Sequence, residues 1–226
     1  MMTFVQTLNS TLRRVPNWLL YVVAFLAPAW FLYLGLTGGL GVDPVKALEW
    51  KIGKLGLQVL IVTLAITPLR NLFKLNLLKF RRALGLIGFF YIFLHLLVWL
   101  VLDVQILSQV WADILKRPYI TIGMGAFVLM IPLAITSNNL SLRKLGPVRW
   151  RRLHKLTYAV LLLGGTHYLM VGKVWLPEAM LYMTVIILLL ANRVKSMPAL
   201  KAWAARAIPS RQSRVKGETN GSSGQS

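Results

Sequence analysis

Six apolar runs are each long enough to cross a bilayer, and this property constrains the fold more than any other. A membrane-spanning helix needs about 20 predominantly apolar residues, whereas a run of about 10–14 is more typical of a buried core helix. The chain is 57% hydrophobic and only 14% charged. The predicted spans are 18–36, 55–69, 83–102, 119–136, 153–171 and 175–192. We therefore predict an all-α, polytopic membrane helical bundle with six transmembrane helices.

The positive charges are distributed unevenly and predict the orientation. Of the 26 Lys and Arg, all but six lie in segments 1–17, 70–82, 137–155 and 193–226. These segments alternate with nearly neutral connections, and Lys and Arg concentrate on the cytoplasmic side of a membrane. We therefore predict cytoplasmic N- and C-termini, with 37–54, 103–118 and 172–176 outside. The net charge of +20 then reflects topology and attraction to membrane lipid, and no nucleic acid partner is expected.

The domain organisation follows from these spans. We expect a cytoplasmic N-terminus at 1–17, a six-helix transmembrane domain at 18–193 and a basic cytoplasmic tail at 194–226. The tail is rich in glycine and serine from about 216, and this composition is typical of disorder. The sequence shows no internal repeat and no soluble domain.

Prolines and apolar spacing refine the connections. Pro44 falls in the first outer connection, and Pro68 is expected to close the second helix. Pro118 opens the fourth helix, where a missing amide proton is harmless, and Pro132 should kink that helix. The 103–117 connection has apolar residues at helical spacing, which indicates a short helix on the outer surface.

Two of the three histidines are predicted to lie at the same depth in the membrane. His95 follows Arg82 by 13 residues, and His167 follows His154 by 13 residues. At about 1.5 Å per residue, both lie roughly 20 Å from the cytoplasmic edge, on helices that run in the same direction. Histidine in hydrocarbon normally marks a ligand or a proton path. A level pair on two helices is the arrangement that a bis-imidazole haem needs.

The same residues have simpler interpretations, which the sequence leaves open. His95 and His167 could be buried imidazoles bonded to backbone or water. His154 could be an interfacial polar residue at the cytoplasmic edge. The absence of cysteine excludes disulfides, thiolate ligation of haem and iron–sulfur clusters. Any redox function must therefore depend on a bound cofactor.

Glycines precede both of the level histidines. A glycine lets a flat macrocycle or another helix approach closely, and the sequence does not separate the two uses. The glycines concerned are Gly85, Gly88, Gly164 and Gly165.

Eight collinear motifs between Pro16 and Arg193 carry a family resemblance. They are Gly39-Leu-Gly-Val-Asp-Pro44, Ile66-Thr-Pro-Leu69, Arg81-Arg-Ala-Leu-Gly-Leu86, Leu94-His-Leu96, Lys116-Arg-Pro-Tyr-Ile-Thr-Ile-Gly123, Leu133-Ala-Ile-Thr-Ser137, Trp150-Arg-Arg-Leu-His-Lys155 and His167-Tyr168. With these motifs the chain resembles the MsrQ (YedZ) family, the haem-binding membrane subunits of the bacterial periplasmic methionine sulfoxide reductase system. That family belongs to the ferric-reductase-like transmembrane group.

The resemblance implies that His95, His154 and His167 bind haem b. His95 and His167 would be axial ligands of one haem iron, with His154 available to a second. Relatives in the wider group commonly carry two histidines on each of two helices, whereas the third helix here supplies only His95. The number of haems, one or two, therefore stays open.

The resemblance also implies an FMN cofactor, the quinone pool as electron donor, and MsrP, a periplasmic molybdopterin-containing reductase, as partner. Four arginines beside His154 are candidates for a haem propionate, flavin or quinone end, although the positive-inside pattern alone would explain them. They are Arg81, Arg82, Arg151 and Arg152.

We expect a non-catalytic electron-transfer subunit in the bacterial inner membrane, which serves the repair of oxidised envelope proteins. The alternative is a cofactor-free membrane assembly or scaffold subunit, which would leave the level histidines unexplained. A proton-coupled transporter would need acidic or other titratable groups within the membrane, and the sequence places no Asp, Glu, Lys or Arg well inside any predicted span.

Overall fold

The computed structural model describes residues 2–172 and 176–195, and every regular element in that part of the chain is helical. The helices are α1 (Met2–Arg14), α2 (Asn17–Leu36), α3 (Pro44–Phe73), α4 (Arg81–Leu97), α5 (Leu107–Lys116), α6 (Pro118–Ile135), α7 (Asn139–Leu153), α8 (Leu156–Val171) and α9 (Pro177–Lys195). A 3-10 turn, Leu78–Phe80, precedes α4, and a π-helical turn, Val98–Val104, continues it.

The chain divides into two compact units, Met1–Leu189 and Leu190–Ser226. The second unit is described only as far as the end of α9. Most of the predicted connection 172–176 and the predicted tail beyond Lys195 lie outside the described residues.

Four helical segments are long and apolar enough to cross a membrane, namely α2, α3, α6 and the continuous stretch Leu78–Val104. The shorter helix α8 is also apolar. These segments identify a membrane protein and confirm the all-helical class predicted from the sequence. The count of six spans and the cytoplasmic termini stay predictions.

The ends of α3 differ from the sequence prediction. The helix begins at Pro44, because Asp43 caps it by accepting a hydrogen bond from the backbone nitrogen of Lys46 at 3.2 Å. Most of the predicted outer connection 37–54 is therefore helical. The prediction that Pro68 closes the helix is wrong. The missing amide of a proline removes one helical hydrogen bond without ending the helix here, and α3 stops only where Lys74 adopts a left-handed conformation with φ 59°.

Two polar segments outside the predicted spans, the N-terminus and one connection, also form helices. The N-terminal segment forms α1, and the predicted inner connection 137–155 forms α7. Asn138 caps α7 by accepting a hydrogen bond from the backbone nitrogen of Ser141 at 2.7 Å. Helix α7 is broken at Gly146, whose φ of 74° suits glycine alone, just before Pro147.

The short helix predicted within 103–117 is present as α5, and its location on the outer surface stays a prediction. Its inner side buries Val110, whereas Leu107, Trp111 and Leu115 are largely exposed. These exposed residues follow one another at four-residue intervals and form an apolar stripe, as expected of a helix at a membrane surface.

The packing is dominated by two helix pairs, α3 with α4 and α6 with α8. Glycines allow the first pair to approach closely, because Gly56 faces Ile92 and Gly88 faces Leu60. Tyr91 of α4 donates a hydrogen bond to the carbonyl of Ala24 at 2.7 Å, which ties α2 to this pair. The second histidine of the predicted pair lies on α8, so each helix pair contributes one histidine.

Candidate functional site

The imidazole rings of His95 and His167 lie side by side inside the bundle. Their centres are 6.2 Å apart, and their planes are inclined at 73°. Both rings line one cavity of about 550 Å³, which is within the size range of cofactor sites, about 300–1,000 Å³. The contact agrees with the prediction that the two histidines lie at the same depth.

Each of the two rings is fixed by its Nδ1 atom. Nδ1 of His95 donates to the backbone carbonyl of Glu49 at 3.0 Å, and Nδ1 of His167 donates to that of Tyr119 at 2.7 Å. A carbonyl can only accept, so the proton of each neutral ring is on Nδ1 and the lone pair is on Nε2. Metal-binding histidines are typically fixed in this way through the nitrogen that does not bind the metal.

A glycine faces each ring from the helix that supplies the acceptor. Gly53 follows Glu49 by one turn of α3, and Gly123 follows Tyr119 by one turn of α6. A Cβ atom at Gly53 would lie 2.8 Å from Nδ1 of His95, and one at Gly123 would lie 2.7 Å from Nδ1 of His167. The rings therefore pack directly against helix backbone.

These contacts make the two helix pairs equivalent, although no repeat was detected in the sequence. In each pair a carbonyl near the start of one helix holds a histidine near the end of its partner. Glu49 and His95 are 46 positions apart, and Tyr119 and His167 are 48 apart. The two pairs share a geometry without sharing a sequence pattern, because any residue can provide a backbone carbonyl as acceptor.

His154 lies away from this pair, in the turn between α7 and α8. Its ring stacks on Trp150 with centres 3.8 Å apart, and its Nε2 lies 3.1 Å from Oγ1 of Thr136. That hydroxyl donates its own proton to the carbonyl of Pro132 at 2.6 Å, so it accepts from Nε2 of His154. Burial first, and then the positive charge of Arg81, lower the pKa of His154 and favour its neutral form.

The four predicted arginines occupy the same region as His154 and not the lining of the cavity. Arg81 and Arg82 begin α4, and Arg151 and Arg152 end α7. Nη1 of Arg82 donates to Oδ1 of Asn139 at 2.7 Å, which links the start of α4 to the start of α7. Among the described residues that line the cavity there is neither one of these arginines nor His154.

The predicted glycines have different roles. Gly88 packs on Leu60, and Gly165 packs on Met183 and Ile186, which is ordinary helix packing. A Cβ atom at Gly85 would meet no other atom within 4 Å. Of these four glycines, Gly164 lines the cavity. The glycines that touch the histidines, Gly53 and Gly123, were not singled out from the sequence.

One end of the cavity is lined by ionisable side chains from the predicted outer part of the chain: Lys46, Glu49, Lys54, Asp103 and Arg117. Sequence analysis did not assign them to a site. Their position could have identified them, because each lies within nine residues of the outer end of a predicted span.

A polar network lies beside this end of the cavity. Nζ of Lys54 pairs with Oε1 of Glu178 at 2.5 Å, and Tyr182 donates to the same oxygen at 2.9 Å. Nε2 of Gln58 donates to the hydroxyl of Tyr182 at 2.6 Å. The network ties α3 to α9. Tyr168 lies next to it, with its ring centre 5.9 Å from that of Tyr182.

Comparison with known proteins identifies the family. Residues 50–165 match the family described as "Ferric reductase like transmembrane component". A Rhizobium meliloti protein named "Protein-methionine-sulfoxide reductase heme-binding subunit MsrQ" is 49% identical over 177 residues, which are 78% of this chain and 82% of that protein. The chain belongs to the MsrQ family.

Two further relatives have the same name. The one from Agrobacterium fabrum is 45% identical over 197 residues, 85% of this chain and 91% of that protein. The one from Brucella anthropi is 46% identical over 178 residues, 78% and 80% of the two chains. The matched ferric-reductase-like segment includes α4 and most of α8 short of His167. MsrQ membership is therefore established over most of the chain.

Proposed function

We propose that this chain is the haem-binding membrane subunit of a methionine sulfoxide reductase system, with His95 and His167 as the axial ligands of one b-type haem. The MsrQ relatives are named for this role. The observation that carries the proposal is the spacing of the two imidazoles inside one cavity.

The spacing can be compared with what a metal requires. An imidazole nitrogen binds a first-row metal ion at about 2.0–2.1 Å and lies about 1.1 Å from its ring centre, so two imidazoles on opposite sides of one ion have centres roughly 6.3 Å apart. The ring centres of His95 and His167 are 6.2 Å apart. Both Nε2 lone pairs are left available by the bonds at Nδ1. The residues therefore fit a bis-imidazole site.

The surroundings fit the rest of a haem. Most of the cavity lining is apolar or aromatic and includes Trp99, Phe127 and Val160, whereas its outer end carries Lys46 and Arg117. Such cations suit the carboxylates of haem propionates. When bound there, haem would supply one-electron redox chemistry. The residues would supply ligand orientation, exclusion of water and charge at one end.

The carbonyls of Glu49 and Tyr119 would also tune the ligands. A hydrogen bond from Nδ1 makes the opposite nitrogen more basic and holds the ring in a single orientation. A more basic imidazole stabilises the oxidised iron, which lowers its reduction potential. The shorter of the two bonds, 2.7 Å at His167, makes His167 the more strongly polarised ligand.

Electrons would cross the membrane from the cytoplasmic side to the periplasm. We propose six membrane spans, cytoplasmic termini and a location in the bacterial inner membrane, supported by the alternation of basic segments. His95 and His167 then lie toward the periplasm, where the protein would pass electrons to a molybdopterin-containing reductase of the MsrP type. The protein itself would catalyse no reduction of methionine sulfoxide.

The inner end would receive the electrons, from the quinone pool or from a flavin such as FMN. His154 and the arginines at 81, 82, 151 and 152 are the candidates for this end, because they cluster at the opposite side of the bundle from Glu49 and Tyr119. His154 would have to exchange its bond to Thr136 for any ligand at Nε2. A second haem at that end would therefore require a different orientation or partner for the His154 ring.

The visible spectrum of the purified protein tests the proposal. We expect a low-spin b-type signal that is lost or severely disturbed in His95→Ala and in His167→Ala, and retained in His154→Ala. A colourless parent protein that still supports its partner would favour the scaffold alternative. An unchanged low-spin spectrum with full haem content in both ligand variants would overturn the assignment of the ligands.

A further inference from the structure

Gly53 and Gly123 make closer contact with histidine than a side chain would permit. From a Cβ at Gly53, Nδ1, Cε1 and Cγ of His95 would be 2.8, 3.0 and 3.2 Å away. From a Cβ at Gly123, the same three atoms of His167 would be 2.7, 3.0 and 3.2 Å away. A contact below about 3.0 Å cannot persist in a packed interior, because overpacking forces side chains or backbone to move.

The ring is the part that would have to move. Gly53 lies within a long, continuous helix, and Gly123 is well inside α6. Each imidazole, in contrast, is attached through two rotatable bonds. A methyl group at either glycine would push the ring away from the helix that also carries its acceptor. The Nδ1–O distances of 3.0 and 2.7 Å would lengthen, and Nε2 would change its direction.

The contact recurs with the same geometry in two unrelated stretches of sequence. In both pairs the glycine is one helical turn after the acceptor, and it touches the same edge of the ring. Other crowded glycines do not behave in this way, since Gly56 meets Ile92 and Gly88 meets Leu60. Close helix packing alone does not require that both histidines face a glycine.

We infer that Gly53 and Gly123 are positioning residues that set the orientation of the two axial imidazoles. Each glycine admits the ring to the surface of the neighbouring helix, where the carbonyl one turn earlier can hold Nδ1. The inference rests on the proposed haem site and extends it from the ligands to the residues that orient them.

Alanine variants of the haem-loaded, full-length protein test the inference. Gly53→Ala and Gly123→Ala should each shift the low-spin electron paramagnetic resonance signal and the midpoint potential. They should also weaken haem retention by about 10-fold or more, as is typical when a partner that orients a metal ligand is lost. Using both variants keeps the test decisive if one of them does not fold.

The chain offers two matched controls. Gly56→Ala lies one turn from Gly53, and its Cβ would be just as crowded, 2.7 Å from Cδ1 of Ile92. Gly125→Ala is two residues from Gly123 and would meet nothing within 4 Å. We expect Gly56→Ala to lower thermal stability while the resonance signal and the potential of the folded protein stay unchanged. Gly125→Ala should match the parent in all three.

The outcomes separate this inference from the proposed function. Loss of the signal in His95→Ala and His167→Ala, together with parental signals and potentials in both glycine variants, would overturn the positioning role alone. The same shifts in Gly56→Ala would also overturn it, because they would arise from packing in general. Retention of the signal in both histidine variants would instead overturn the haem site itself.

Discussion

Nε2 of His154 lies 3.1 Å from the hydroxyl oxygen of Thr136, whereas His95 and His167 are held through Nδ1. The third histidine is thus bound through the nitrogen that the other two leave available. This difference distinguishes His154, at one end of the bundle, from the proposed ligand pair nearer the other end.

The first prediction concerns His154. We expect His154→Ala to retain the low-spin haem signal, because its ring is absent from the cavity that holds the other two histidines. If His154 belongs to the electron-receiving end, reduction of the haem by a quinol or flavin donor should slow. Stopped-flow reduction with a quinol measures this effect. Reduction with dithionite, a chemical donor that needs no inner site, should proceed at the parental rate.

Thr136→Val serves as the matched control for that experiment, because it removes the partner of Nε2 and keeps the imidazole. A rate loss in His154→Ala but not in Thr136→Val would assign the effect to the ring. Identical haem content, reduction rate and turnover in parent and His154→Ala would leave His154 as an interfacial polar residue.

The second prediction concerns the network that ties α3 to α9. Tyr182→Phe removes the hydrogen bonds of the hydroxyl to Gln58 and Glu178. At about 0.5–1.5 kcal/mol for each bond, we expect a loss of roughly 1–3 kcal/mol in stability. The haem spectrum should not change. Thermal unfolding followed by tryptophan fluorescence measures the loss.

Tyr21→Phe is the control for the network, because its side chain is exposed and none of the described hydrogen bonds involves its hydroxyl. A variant of Tyr182 as stable as the parent would show that the network contributes nothing to the packing of α9. A changed haem spectrum in that variant would instead connect the network to the cavity.

The third prediction concerns topology. The alternation of basic and nearly neutral segments places Lys46 and Lys116 outside and Lys195 inside. Alkaline phosphatase, which is active only outside the cytoplasm, should be active when fused after Lys46 or Lys116 and inactive after Lys195. Activity at Lys195, or inactivity at Lys46, would contradict the arrangement of six spans.

The fourth prediction concerns the break in α7. Gly146 has a φ of 74°, a conformation that is unfavourable for any residue with a Cβ. Gly146→Ala should therefore destabilise the protein by about 1–3 kcal/mol even though no atom lies within 4 Å of a Cβ there. Gly85→Ala, with equally open surroundings at ordinary φ, should be neutral or slightly stabilising in the same thermal assay. Equal stability of the two variants would argue against the strained conformation.

Long apolar runs predicted the helices of this fold well, whereas prolines and caps predicted the ends of the helices poorly. Long apolar runs identified α2, α6 and the Leu78–Val104 segment, because a bilayer fixes the length of a spanning helix. The ends of α3 were misjudged. Asp43-Pro44 is a typical start of a helix, and the sequence prediction missed it. Pro68 was expected to end the helix, but a proline removes only one helical hydrogen bond and α3 continues past it.

Some features of the candidate site could likewise be predicted from the sequence, and others could not. The contact between His95 and His167 was predictable, because helices that cross a bilayer in the same direction convert residue counts into depth. The acceptors for Nδ1 were not predictable, since every residue has a carbonyl and Glu49 and Tyr119 act through theirs. Gly53 and Gly123 had no distinguishing pattern until the facing helices were known.

The two-pair arrangement has a consequence for how the redox properties of this protein should be measured. In each pair the histidine is on one helix and its hydrogen-bond acceptor is on the other, so a sliding of α3 against α4, or of α6 against α8, would reorient a proposed haem ligand directly. Bilayer thickness and detergent act on that kind of displacement. If these histidines bind haem as proposed, the midpoint potential in a native lipid bilayer would depend on the protein and its membrane together, and a value measured in micelles would change with any change in helix packing.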